Sequence, residues 1–140
     1  MIAIIRIKGM TGIKTELAET LSRLRLRRKY SCVVIPETKE YLGMIKKVRD
    51  YIAYGEINPE TFEKLIEKRG QAIDKTKKIN PKEAVKDIQK GKKYEELNLK
   101  PYFRLHPARG GIDTKKHFGV GKGVLGNHKE NINKLIERML

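Results

Sequence analysis

The sequence predicts a small α+β fold, and three observations carry that prediction. Apolar runs over 2–8, 32–35 and 51–57 alternate with amphipathic stretches that follow Gly12 and Pro36, giving the order β-α-β-α-β. Two Asn-Pro pairs then open further helical stretches. With 39% hydrophobic residues in 140, the chain can bury one modest core, largely aliphatic because there is no Trp and only 6% aromatic residues.

The elements follow in order. Ile2 to Lys8 reads as a strand, with Arg6 and Lys8 on one alternate set, and Gly9 to Gly12 breaks it. Leu17, Leu21 and Leu24 recur at helical spacing, which predicts a helix over 15–28 with Thr15 as its cap. Cys32-Val33-Val34-Ile35, ended by Pro36, predicts a central strand. Thr38 opens a second helix striped by Tyr41, Ile45, Val48 and Ile52, whose last turn runs into a third strand over 51–57. Two helical crossovers predict neighbouring strands joined by right-handed β-α-β units, with both helices on one face of the sheet. Such a unit of 57 residues has little surface to bury, so residues 58–140 are expected to pack against it as one compact body.

In that second part, Asn58-Pro59 and Asn80-Pro81 each place Asn at an N-cap and Pro at the first helical position. Phe62, Leu65 and Ile66 line the first of these helices, ended near Gly70. Ala84, Val85 and Ile88 line the second, ended near Gly91. A strand is expected over 102–105, a loop through the glycine-rich segment that follows, and a final helix carrying Ile132, Leu135, Ile136 and Met139.

Charge points to the partner. Lys and Arg number 32 against 17 Asp and Glu, a net +15 that would steer polyanions. The bases are spread: 12 in residues 1–57, 12 in 58–100 and 8 in 101–140, so a disordered basic tail is not their source. Cys32 is the only cysteine, which excludes an intramolecular disulfide or a cysteine-based zinc cluster and fits a reducing, cytoplasmic setting. No apolar stretch approaches the roughly 20 residues of a membrane span.

Two clusters stand out. The first is Arg23, Arg25, Arg27, Arg28 and Lys29, in which Arg23 and Arg27 would share a helix face. Like charges at that spacing repel, so a polyanion explains them better than helix stability does, and Arg suits bidentate phosphate contact. The bland alternative is a solvated helix end whose cations complement the dipole. The second spans 103–127, which holds half of the 12 glycines, five cations and a single acid, Asp113. Its candidates are Arg104, His106, Arg109, Gly110, Gly111, Lys115, Lys116, His117 and Lys122. Here glycine lets backbone lie close to phosphate while Arg and Lys supply charge.

Other chemistries find no support. Gly121 to Gly126 matches G-x-G-x-x-G, but only 14 residues follow, too few for the second strand and the ribose-binding acid of a dinucleotide fold. A glycine-rich turn leading into a helix N-terminus that faces an RNA phosphate is the preferred reading. His106, His117 and His128 lie 11 residues apart, not a usual metal-ligand spacing. Cys32 reads as a small core residue, most tyrosines read as structural, and neither an RNP1 octamer nor a KH-type clamp is present. No catalytic residue, cofactor, metal or small-molecule substrate is expected.

Larger blocks carry a resemblance. Leu24-Arg25-Leu26-Arg27-Arg28-Lys29-Tyr30-Ser31-Cys32-Val33-Val34-Ile35-Pro36, then Tyr41 to Val48 and Tyr54-Gly55-Glu56, resemble the core of the archaeal and eukaryotic long type of the large-subunit ribosomal protein L-thirty family, whose eukaryotic counterpart is called L-seven. Arg104 to Gly111 and Asn131 to Ile136 resemble its C-terminal extension. Ala108 departs from the pattern, which has a second proline there. The resemblance implies a ferredoxin-like β-α-β-α-β core over 1–57 and a mostly helical and loop extension over 58–140. It also implies a non-catalytic place in the large ribosomal subunit, with large-subunit rRNA, 5S rRNA and neighbouring ribosomal proteins as partners. The alternative is a free nucleic-acid chaperone or regulator outside the ribosome.

Overall fold

The computed structural model describes residues 1–9, 12–119, 121 and 123–140, with backbone alone at 113–115. Six strands form one sheet in the order β4-β2-β1-β3-β6-β5. They are β1 (Ile2–Arg6), β2 (Ser31–Ile35), β3 (Ile52–Glu56), β4 (Phe103–Arg104), β5 (Asp113–His117) and β6 (Gly123–Asn127). The helices are α1 (Thr15–Arg23), α2 (Lys39–Lys47), α3 (Pro59–Arg69), α4 (Pro81–Gln89) and α5 (Ile132–Met139).

The α+β, ferredoxin-like class holds, but the expected strand adjacency is corrected. β1 lies between β2 and β3 and pairs antiparallel with both, from Ile2 opposite Ile35 on one side to Arg6 opposite Ile52 on the other. The α2 crossover therefore joins two strands separated by β1 rather than neighbours. The period-2 pattern explains why a strand can be central here: β1 is buried on both faces, as its all-apolar Ile-Ala-Ile-Ile stretch requires.

Each face has its own core. Ile2, Ile4, Val33, Ile35 and Ile52 meet Leu21 and Leu24 from the α1 end and Ile45 and Val48 from α2, as the helical spacing predicts. Ala3, Ile5, Ile7, Cys32, Val34 and Ala53 meet α3, α4 and α5. Full burial of each Ile or Leu is worth about 1.5–3 kcal/mol, so neither layer is dispensable.

Local chemistry sets several helix starts. The Thr38 hydroxyl accepts from the Tyr41 N–H at 3.3 Å. The Asn58 and Asn80 side chains accept from Thr61 N–H at 2.8 Å and Lys82 N–H at 3.1 Å, each followed by Pro at the first position. Thr15 is not a cap: α1 begins after Lys14 without a side-chain acceptor.

The glycine-rich segment, expected as a loop, contains β5 and β6. β6 runs parallel to β3, with Ala53 opposite Gly126, and buries Val124 and Leu125. Gly123 lies against the His117 carbonyl so closely that a β-carbon there would collide with backbone. That close approach, not loop flexibility, explains this glycine. Nor does Gly126 lead directly into a helix: a 3-10 turn (Lys129–Asn131) intervenes before α5.

Candidate nucleic-acid interface

The first cluster is shaped by an early helix stop. α1 ends at Arg23, not at 28, so Arg23 and Arg27 share no helix face. The Leu26 N–H donates to the Leu21 carbonyl and the Arg25 N–H to the Ser22 carbonyl, both at 2.9 Å, which is the Schellman closure. Leu21 and Leu26, both fully buried, supply its apolar contact. Arg25 takes the left-handed position at φ +64°, where glycine is usual.

Arg6 completes the stop. It is buried, and its guanidinium donates to the carbonyls of Leu26 at 2.7 Å, Lys8 at 3.0 Å and Gly9 at 3.4 Å. A continuing helix would use the Leu26 carbonyl for the Tyr30 N–H; that N–H instead donates to the Arg6 carbonyl at 2.7 Å. Burial lowers the Arg6 pKa from its ordinary value, yet carbonyl dipoles from three positions surround the cation. Sequence reasoning missed this role because an Arg in a strand reads as solvent-facing.

β4 brings in the second half of the site. Ser31 pairs with Arg104 and Cys32 with Phe103, setting Arg104 beside the 23–28 segment. Tyr94 supports the junction: its hydroxyl donates to the Val34 carbonyl at 2.5 Å, and its ring meets Phe103 edge-on at 6.3 Å. The result is a cleft of about 400 Å³ lined by Arg23, Arg25, Arg27, Arg28 and Arg104, with Tyr102, Pro101, Ser22 and Ser31.

Five guanidinium groups around one concavity repel one another. Arg23 pairs with Glu19 at 3.0 Å and Arg25 with Glu95 at 3.4 Å, both exposed pairs that contribute little. Among the described residues Arg27, Arg28 and Arg104 have no carboxylate within ion-pair distance. Arg104 instead lies over the Tyr102 ring at 5.2 Å, and Lys29 over Tyr30 at 5.1 Å.

The second cluster does not form one patch. Arg104 belongs to the cleft at the β4 edge, while Lys116 and His117 lie in β5 at the opposite edge, roughly 24 Å away at about 4.8 Å per strand. Lys115 is also in β5, and Lys122 lies outside the described residues. Between the edges, residues 105–112 cross the α3–α5 face, burying Leu105 and Ala108 in its core. Ala108 thus stands at a buried position.

This crossing is tied to the end of α5. The His106 N–H donates to the Met139 carbonyl and the Arg109 N–H to the Arg138 carbonyl, both at 3.0 Å. Arg138 returns bonds to the carbonyls of Arg109 at 2.9 Å and Gly111 at 2.6 Å. Gly110 and Gly111 turn the chain at φ +80° and +77°, and the side chains of His106 and Arg109 are left exposed. At the β5 edge, the His117 ring approaches Asp50 at 3.5 Å.

The buried titratable groups serve the core. Burial pushes the Cys32 thiol up to about 12 and raises the Tyr94 phenol beyond its usual range, so neither ionises near neutrality. His128 is buried under Phe118, ring centroids 4.1 Å apart, with Nε2 2.6 Å from the Val124 carbonyl; burial lowers its pKa. Among the described residues no cluster of His, Cys, Asp or Glu could hold a metal ion.

Comparison with known proteins gives the family. The family described as Ribosomal protein L30p/L7e matches residues 2–52, which hold β1 to the start of β3 and the whole Arg23–Lys29 segment. Full-length similarity extends to proteins called large ribosomal subunit protein uL30. That of Archaeoglobus fulgidus is 41% identical, covering 99% of each chain, and that of Methanosphaera stadtmanae is 41% identical over the whole of both. The Methanococcus maripaludis protein is 38% identical over 99% of this chain and 98% of its own. This chain therefore belongs to the uL30 family of large ribosomal subunit proteins, structural constituents and not enzymes.

Proposed function

We propose that this protein binds large-subunit rRNA and bridges separate RNA segments through two basic surfaces, one at each edge of its sheet. The observation that carries this is the arginine cleft, where three of five guanidinium groups have no carboxylate partner among the described residues. A polyanion relieves their mutual repulsion, and Arg binds phosphate bidentately. Lys116 and His117 form the second surface, with Arg109 exposed on the crossing between them. Partners are large-subunit rRNA, with 5S rRNA as one RNA to test, and adjoining ribosomal proteins.

The deciding experiment sediments cell lysate through a sucrose gradient after a wash at about 0.5 M salt, where simple phosphate attraction is strongly weakened. Stoichiometric retention in the large-subunit peak is expected. Release with intact subunits would favour a free chaperone instead. Neutralising Arg104 and Arg109 together should weaken binding to purified rRNA, and unchanged affinity would reject the role of these two residues.

A further inference from the structure

We infer that the arginine cleft receives one unpaired nucleotide, held by phosphate contacts at its rim and by stacking of its base beside Tyr102 and Arg104. This rests on the rRNA-binding reading and names the RNA feature recognised.

Shape is the first argument. A duplex presents its phosphates on a convex surface, which a flat or gently curved array of cations matches best. Here the five guanidinium groups surround a concavity of about 400 Å³, within the roughly 300–1,000 Å³ of pockets that enclose small organic ligands. One nucleotide is a ligand of that class, whereas a helix cannot enter.

The lining is the second argument. Tyr102 is half-buried against the α1–α2 core, and the Arg104 guanidinium lies 5.2 Å from its ring centroid. Both groups line the cleft, offering planar surfaces of the kind on which splayed-out RNA bases stack. Phosphate binding alone needs no aromatic group there. Ser22 and Ser31 add hydroxyls able to donate to base edges or the ribose.

Rigidity is the third. The Schellman closure and the three Arg6 bonds fix one wall, while the β2–β4 pairing fixes the other. A wall held in this way keeps its shape without RNA, which lowers the ordering cost of binding.

The test uses three hairpin RNAs of one stem sequence: uninterrupted, with a single bulged adenosine, and with an abasic bulge. Affinities are read by fluorescence anisotropy in about 0.1 M salt. The adenosine bulge should bind about ten-fold tighter than the uninterrupted stem, and the abasic bulge should lose most of that gain. Tyr102→Leu should abolish the difference between the adenosine and abasic bulges, read as the ratio of the two affinities within that variant. Arg104→Lys, which keeps charge but not the plane, should reduce it, with circular dichroism confirming that both variants fold. Equal affinity for all three hairpins would overturn the nucleotide site yet leave rRNA binding standing. Failure to bind any hairpin or purified rRNA would overturn both.

Discussion

Arg6 and Leu26, 20 residues apart, are joined by a 2.7 Å hydrogen bond from a buried guanidinium to a backbone carbonyl. With its bonds to Lys8 and Gly9, this arginine closes the base of the segment that carries Arg25, Arg27 and Arg28. Arg6→Met should cost about 2–3 kcal/mol, since three carbonyls lose a charged donor. Urea unfolding should show a lower midpoint with little change in slope. Arg6→Lys, with one donor group in place of a fork, should recover only part of the loss.

Arg25 offers the opposite trade. Its φ of +64° suits glycine, and L-residues are disfavoured there by roughly 1 kcal/mol. Arg25→Gly should therefore raise stability by about 0.5–1 kcal/mol while weakening RNA binding. Paired thermal-melting and RNA-binding measurements would show both effects; a loss of stability would contradict the Schellman account.

Gly55 tolerates no side chain. A β-carbon built there would lie 2.9 Å from that of Ile132 and collide with the Lys129 carbonyl, because β3 passes directly under the start of α5. Gly55→Ala should destabilise by about 1–3 kcal/mol, measurable as a depressed melting temperature.

His128 gives the fold an acid sensitivity of definite sign. Its folded-state pKa lies below the ordinary 6.5, so between those two values the unfolded chain binds more protons than the folded one. Its contribution to stability is complete above about pH 6.5 and falls as pH drops toward the folded pKa. Asp50 and His117 near the same sheet edge, and Lys129 next in sequence, are the neighbouring ionisable groups, and they are the same in the two proteins compared, the parent chain and its His128→Gln variant. Unfolding measured from pH 7.5 to 5 should show a slope that His128→Gln flattens.

Residues 1–57 alone should not form a stable domain. Without α3, α4 and α5, the face bearing Ala3, Ile5, Cys32, Val34 and Ala53 would be open to water. We expect a fragment ending at Ile57 to aggregate or to lack cooperative melting, and a sharp thermal transition in it would refute this.

Features encoded locally were legible in the sequence. Asn58-Pro59 and Asn80-Pro81 act through bonds spanning two or three residues, and the α2 stripe needs only its own periodicity. What escaped depends on distant partners. Arg6 is tolerable inside because carbonyls from elsewhere face it, and Arg104 joins the first cluster only through pairing with Ser31 across 73 positions. β6 was obscured by its glycines, although the Val124-Leu125 pair was an available sign of a buried strand. Grouping Arg104 with Lys116 followed proximity in sequence, whereas the sheet sends them to opposite edges.

The β2–β4 pairing also sets a timetable. One wall of the cleft comes from residues 22–31 and the other from 101–104, so during synthesis the first wall waits until some 70 further residues have been made. Non-local pairing of this kind is slow to form. A nascent chain halted before Pro101 would expose four of the arginines without the groove that organises them, able to attract RNA by charge but not to select it.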